Sequence, residues 1–184
     1  MSIYLRNVFR FILLVLIQVL LLNKIPLRWW ATPGGIPPYT PYIYPLFILL
    51  LPFSTPMWFL LVSSFAMGIT VDTFMDTGGM HAAACVLMAF LRTNVLRALL
   101  PKRLSEYQNM SPNIKSMGWT PFLTYSVILL AIHHILFYII EIWSFESIGY
   151  LLLKIIISLI TSLIFVALYS LFFSSSINTV YYEK

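Results

Sequence analysis

The chain has 184 residues, of which 60% are hydrophobic and 9% charged, and its 11 lysine and arginine residues against 6 acidic ones give a formal net charge of +5. Soluble domains carry about 25% charged residues, so this composition excludes an ordinary soluble domain, and its high apolar content excludes a disordered chain. The basic residues lie mostly between apolar runs, where membrane topology accounts for them, and we expect no nucleic-acid partner. What remains is an integral membrane protein.

Charged residues divide the apolar sequence into six segments that are candidates for membrane spans. Because each crossing needs a helix of about 20 residues, we predict an all-α integral membrane protein, a six-helix polytopic bundle that forms one transmembrane domain over residues 1–184. The predicted spans cover about residues 8–22, 39–51, 56–71, 80–100, 120–140 and 148–173. The second is short, and Pro41, Pro45 and Pro52 interrupt it, so we predict a short, tilted or re-entrant helix there.

The distribution of lysine and arginine predicts the orientation of the chain. Whether five or six segments cross, the positive-inside rule places the 92–118 loop and the C-terminus on the cytoplasmic side. The side of the N-terminus depends on whether the 39–51 segment crosses fully. We favour six crossings, which place Arg6 and Arg10 inside.

The densest group of polar residues lies in the stretch 68–84, which joins the third and fourth predicted spans. Asp72 and Asp76 are four residues apart, and His81 follows five residues later. Two carboxylates and an imidazole can bind a metal ion, but no further histidine or cysteine follows at ligand spacing, so we predict no metal site. We favour a polar hairpin in which the Gly78–Gly79 pair forms the turn.

Ionisable residues within or beside the spans are expected to be paired. Asp72 follows a long uncharged run and could cap the next helix, receive a cation or pair with Lys154. Lys154 either extends to the membrane interface or makes an interhelical ion pair, with Glu141 predicted at the same end of the bundle. His134 shares a helical face with Tyr138 and Glu141. We favour a hydrogen bond from His134 to a neighbouring helix over a proton relay, because nothing ionisable precedes the histidine pair in this span.

Small residues concentrate where the third and fourth spans meet, around Gly68 and in the run 82–85. Such residues let helix backbones approach closely, either within this hairpin or against a helix of another chain, and we favour packing within the hairpin. The sequence contains no serine-hydrolase elbow, no zinc-protease motif and no phosphate-binding loop. We therefore predict that the chain is not an enzyme and has no cofactor.

The run Gly68-x-x-x-Asp72, the glycine pair ending at Gly79, and Met80-His81-Ala82-Ala83 at the start of an apolar helix together resemble the MreD family of rod shape-determining membrane proteins. The proline-flanked run 42–53 is similar to members with a short second segment. The resemblance implies six helices arranged like the substrate-binding subunits (S-components) of ECF-type vitamin transporters, and a multi-pass location in the bacterial cytoplasmic (inner) membrane. It also implies that Gly68, Asp72, Gly79 and His81 form a partner-binding or structural motif.

The function implied by the resemblance is that of a non-catalytic scaffold in the rod complex, or elongasome. The resemblance also implies that the chain is in contact with membrane lipids. The scaffold binds the transmembrane helix of MreC and, indirectly, MreB, the SEDS glycosyltransferase and the penicillin-binding transpeptidase, and so positions peptidoglycan synthesis for cell shape. The alternative is the substrate-binding subunit of a small-molecule, vitamin-like transporter, with Asp72, His81, Lys154 and the loop between the first two segments in the ligand site. We favour the scaffold, because segment 8–22 lacks the alanines with which such subunits dock. An enzyme acting on lipid or peptide is the third interpretation.

Overall fold

The computed structural model of the chain describes residues 3–24, 41–101, 103–107, 110–142 and 148–173. The first two residues of the predicted 39–51 span, the C-terminus and parts of the 92–118 loop lie outside these ranges. Within them, the regular elements are all helical. The all-helical class predicted from the sequence is therefore confirmed for the described residues.

The described helices occur in the following order along the chain. The first, α1, covers Ile3–Leu16 and continues without a break as a π-helical turn over Ile17–Leu21 and a 3-10 turn over Leu22–Lys24. The others are α2 (Leu46–Leu49), α3 (Met57–Met75), α4 (Met80–Leu99), α5 (Ile114–Met117), α6 (Trp119–Ile142) and α7 (Ile148–Phe173), with a further 3-10 turn over Leu104–Tyr107 between α4 and α5.

In the part of the chain that the structure describes, four helices are long and apolar enough to cross a membrane: α3, α4, α6 and α7. They correspond to the predicted spans 56–71, 80–100, 120–140 and 148–173, with ends that differ by a few residues at most. Their outward faces are apolar. Val62 on α3 and Ile160 on α7, for example, are 61% and 53% exposed. Exposure of such an apolar surface to water is unfavourable, whereas its contact with lipid chains carries no such free-energy penalty.

The long helices pack in a row, with α4 between α3 and α6, and with α7 against α6. The α4 face in the interior carries small side chains at Ala82, Ala84, Cys85 and Ala89, all of which are buried. Small side chains shorten the distance between helix axes, so α3 and α6 pack closely against α4.

Residues 41–53, which we call the core segment, pass through the interior of the bundle, and each of them is buried. This corrects the helical span predicted over about 39–51, because only Leu46–Leu49 forms a helix. Pro41, Pro45 and Pro52 lack an amide hydrogen and break the helical hydrogen-bond pattern. Irregular backbone at membrane depth is stable only when protein groups satisfy it, which explains why this segment lies inside the bundle and not against lipid.

Candidate functional site

Two arginines and a tyrosine bind the carbonyl groups at one end of the core segment. Arg92 on α4 donates from Nη2 to the carbonyl of Leu51, and its Nε donates to the Tyr125 hydroxyl over 3.0 Å. The Tyr125 hydroxyl donates in turn to the carbonyl of Leu49 over 2.9 Å. Nη1 of Arg10 donates to the carbonyl of Leu50 over 3.1 Å. Arg92 is only 1% exposed. The sequence interpretation counted both arginines as markers of topology and missed this role.

Side chains from α1 and α7 hold the other end of the core segment. Gln18, in the π-helical turn after α1, accepts a hydrogen bond from the amide of Ile43 over 2.9 Å and donates one to the Pro41 carbonyl over 3.2 Å. The Ser162 hydroxyl on α7 accepts from the amide of Tyr42 over 3.0 Å. Four helices therefore satisfy the irregular backbone of this segment, as burial in a membrane protein requires.

Asp72, near the end of α3, caps the start of α4. Its carboxylate accepts three hydrogen bonds, from the amides of His81 and Ala82 over 3.0 and 2.8 Å and from the Thr77 hydroxyl over 2.5 Å. These amides are the second and third of α4, the donors that a helix N-terminus leaves free and that an N-cap residue normally satisfies. The negative charge also lies at the positive end of the helix dipole. Asp72 thus makes a cap across the turn, one of the roles that the sequence left open for it.

The rest of the Gly68–His81 motif shapes the same turn. A Cβ atom at Gly68 would lie 2.4 Å from Cα of Ala82, so the α3 backbone touches the α4 backbone here. Gly79, which precedes α4, has a φ of +92°, a conformation that side chains disfavour. The structure therefore brings Gly68, Asp72, Gly79 and His81 together at one end of the α3–α4 hairpin.

Replacement of Asp72 tests the cap. Asp72→Ala leaves two buried amides without an acceptor, and we expect the free energy of unfolding to fall by about 1.5–3 kcal/mol. Asp72→Asn should lose less, because the amide oxygen still accepts one of the bonds. Unfolding of the purified variants in detergent, followed by circular dichroism, measures both effects.

The matched control is Asp76→Asn, because Asp76 is exposed and has a left-handed backbone that asparagine also adopts. This variant should unfold within about 0.5 kcal/mol of the unchanged chain. Equal stability of Asp72→Ala and Asp76→Asn would show that the cap contributes nothing.

His81, Tyr44 and His133 form a buried hydrogen-bonded bridge between α4, the core segment and α6. The Tyr44 hydroxyl oxygen lies 2.6 Å from Nδ1 of His81 and 2.6 Å from Nε2 of His133. All three side chains are fully buried. Phe137 stacks on the His81 ring with a centroid distance of 4.3 Å, which encloses the bridge on that side. The hairpin motif includes His81, but sequence analysis did not connect it with Tyr44 or His133.

His134, Lys154 and Glu141 lie on the facing sides of α6 and α7. The Nζ atom of Lys154 is 2.5 Å from a carboxylate oxygen of Glu141 and 4.8 Å from the centre of the Tyr138 ring, which adds a cation–π contact. Nδ1 of His134 lies 2.6 Å from the Leu130 carbonyl, and its Nε2 lies 3.2 Å from the Ser162 hydroxyl. Lys154 therefore pairs with Glu141 on the neighbouring helix α6 and not with Asp72.

The polar side chains predicted to carry chemistry are in contact with other groups of the bundle. Among the described residues, no three histidine, cysteine, aspartate or glutamate side chains are grouped so as to hold a metal ion. Cys85 is buried against the core segment and is a packing residue at the α4 interface. The arrangement stabilises a compact bundle around an irregular core.

Comparisons with family models, with curated proteins and with solved structures find no match to this chain. The class follows from the structure: the described residues form an all-helical bundle around a buried irregular segment, and four of its helices are long and apolar enough to cross a membrane.

Proposed function

We propose that the chain is a non-catalytic scaffold subunit of the bacterial cell-elongation complex, like the MreD proteins whose motif it resembles. In this proposal it is a multi-pass protein of the cytoplasmic membrane with the 92–118 loop and the C-terminus inside. It binds the single transmembrane helix of an MreC-type partner, and through that partner it helps to position peptidoglycan synthesis.

The observation that supports this proposal best is the set of hydrogen bonds that Asp72 accepts. It is the acidic residue of the motif that lies inside the bundle, and its carboxylate is bound by the start of α4 over 2.5 to 3.0 Å. A carboxylate bonded in this way stabilises the hairpin and is poorly placed to transfer a proton or bind a substrate. The motif therefore fits a structural role better than a catalytic or ligand-binding one.

The packing of the small residues favours a binding surface for the partner helix on the outside of the bundle. Gly68 and Ala82 are in contact with one another inside the α3–α4 hairpin, so this close-packing surface is already used. A partner helix must then lie on the apolar outer faces, which lipid covers in its absence. Association of helices in a membrane depends on van der Waals packing and not on exclusion of water, so shape on these faces decides the affinity.

Co-purification tests the proposal. The tagged chain is co-expressed with an MreC-type partner that retains its transmembrane helix, extracted in mild detergent and captured, and the partner is quantified by mass spectrometry. We expect it in a fixed ratio to the chain, and we expect the ratio to be kept when the transmembrane helix alone is fused to a soluble reporter. A single-span protein of unrelated sequence is the control, and equal recovery of both would contradict the proposal.

Two bulky substitutions locate the surface. Val62→Trp on α3 and Ile160→Trp on α7 change side chains that face outward and should leave the fold intact. We expect one of them to reduce the recovered partner about tenfold, which corresponds to a loss of about 1.4 kcal/mol in binding, and the other to leave it unchanged. If both variants recover as much partner as the unsubstituted chain does, these two faces are excluded as the docking surface.

A further inference from the structure

The bridge between His81, Tyr44 and His133 has a chemical property that the scaffold role does not require. A hydroxyl group has one hydrogen, so Tyr44 donates to one of the two histidines and accepts from the other. The bond distances, 2.6 Å to each ring nitrogen, favour neither direction. Two arrangements of the hydrogens are therefore available within the same positions of the heavy atoms.

The two arrangements link the tautomers of the histidines. When Tyr44 donates to Nδ1 of His81, His81 carries its hydrogen on Nε2, and His133 donates from Nε2 to the hydroxyl oxygen. When Tyr44 donates to Nε2 of His133, His133 carries its hydrogen on Nδ1, and His81 donates from Nδ1. In each arrangement both neutral histidines have the same tautomer, because the bridge uses a different nitrogen on each ring.

The outer nitrogens of the bridge are its two ends. Among the described residues, Nε2 of His81 and Nδ1 of His133 are buried and have no hydrogen-bond partner in the protein. Buried polar atoms are almost always bonded, and water is the smallest group that can supply the bond where protein does not. In each arrangement one end is a donor and the other an acceptor.

We infer that His81, Tyr44 and His133 form an internal proton relay with a water molecule bound at each end. An excess proton carried by the water at His133, as hydronium, attaches to Nδ1 and leaves that water neutral. The hydrogen on Nε2 of His133 then passes to the Tyr44 oxygen as the Tyr44 hydrogen passes to Nδ1 of His81, and His81 releases its Nε2 hydrogen to the second water. The second water becomes hydronium, so one proton has entered and one has left, and each histidine has changed from the Nε2–H to the Nδ1–H tautomer.

His134 provides an internal reference for this relay. Its Nδ1 faces a carbonyl, which only accepts, so this nitrogen carries the hydrogen, and its Nε2 accepts from the Ser162 hydroxyl. Both nitrogens of His134 thus have partners within the protein, although it is adjacent to His133 and equally buried. We expect it to keep one tautomer and to contact no water.

Solid-state NMR of the full chain in lipid bilayers tests the inference. The chain contains 3 histidines, so selective ¹⁵N labelling gives a small set of ring signals, and His134→Asn identifies those of His134. We expect His81 and His133 to show the same tautomer or the same pair of tautomers, with transfer of magnetisation from water to His81 Nε2 and His133 Nδ1 and none to His134. Opposite tautomers for His81 and His133, or no transfer from water to either of them, would overturn the inference.

Tyr44→Phe removes the bridging hydroxyl and retains the ring. If the variant folds, we expect the common tautomer of His81 and His133 to be lost and the His134 signals to stay unchanged. A common tautomer that persists in this variant would also overturn the inference. The spectra of the unsubstituted chain decide the question alone if the variant does not fold. The inference is independent of the partner proposed above.

Discussion

The substitution Arg92→Met is expected to lower the free energy of unfolding by about 2–5 kcal/mol. Methionine fills much of the same space but removes the donors that Arg92 directs at the end of the core segment and at Tyr125. Buried carbonyls without a donor cost about 1–3 kcal/mol each, and the cost is higher where no water is near. The free energy is measured by unfolding the purified chain in mild detergent, in the absence of any partner protein.

Two further variants separate the hydrogen bonds of Arg92 from its charge. Arg92→Lys keeps the charge but loses the planar fork that reaches several acceptors at once, so it should recover only part of the stability. Arg97→Met changes an exposed arginine in the last turn of α4 and should be neutral within about 0.5 kcal/mol. If Arg92→Met were as stable as Arg97→Met, the structural role assigned to Arg92 would be wrong.

The substitution Gly68→Ala is expected to cost about 3 kcal/mol, at the upper end of the range for overpacking. The added methyl group would lie 2.4 Å from Cα and 2.6 Å from the amide nitrogen of Ala82, and both are backbone atoms that cannot rotate away. The α3 and α4 helices must therefore separate, which also stretches the bonds from Asp72 to the start of α4.

Gly149→Ala is the matched control, because a Cβ atom there meets nothing within 4 Å. Alanine has the higher helix propensity, so this change should be neutral or stabilise α7 by up to about 1 kcal/mol. Thermal unfolding of both variants in one detergent gives the comparison. Equal stability of the two would mean that α3 and α4 are not in close contact at Gly68.

The sequence predicted the four long helices well because their apolar runs are long and most of their ends lie beside a charged residue, glycine or proline. The α3–α4 turn was also accessible, since Asp72 and the glycine pair are close in sequence and their interactions are local. For such elements, hydropathy and residue spacing contain most of the information that determines the structure.

The core segment was not predicted because hydropathy does not distinguish a lipid environment from a protein interior. Its residues are as apolar as those of a span, and its environment depends on contacts with residues far along the chain. Arg92 is 41 positions from the carbonyl it binds, and Gln18 is 25 positions from Ile43. One signal was present: Gln18 is the only polar residue in the apolar run 11–22, and an isolated polar side chain in a span usually bonds to another part of the bundle.

We propose that the buried polar groups maintain the bundle and that function depends on recruitment of another membrane protein. The most direct test is capture of the tagged chain from membranes of cells that produce it, with quantitative mass spectrometry of what is retained. We expect a single-span MreC-type protein in a fixed ratio to the chain, with equal recovery when Asp76→Asn replaces the native chain. Recovery of the chain alone, together with transport of a solute or turnover of a compound by the pure protein in vesicles, would contradict it.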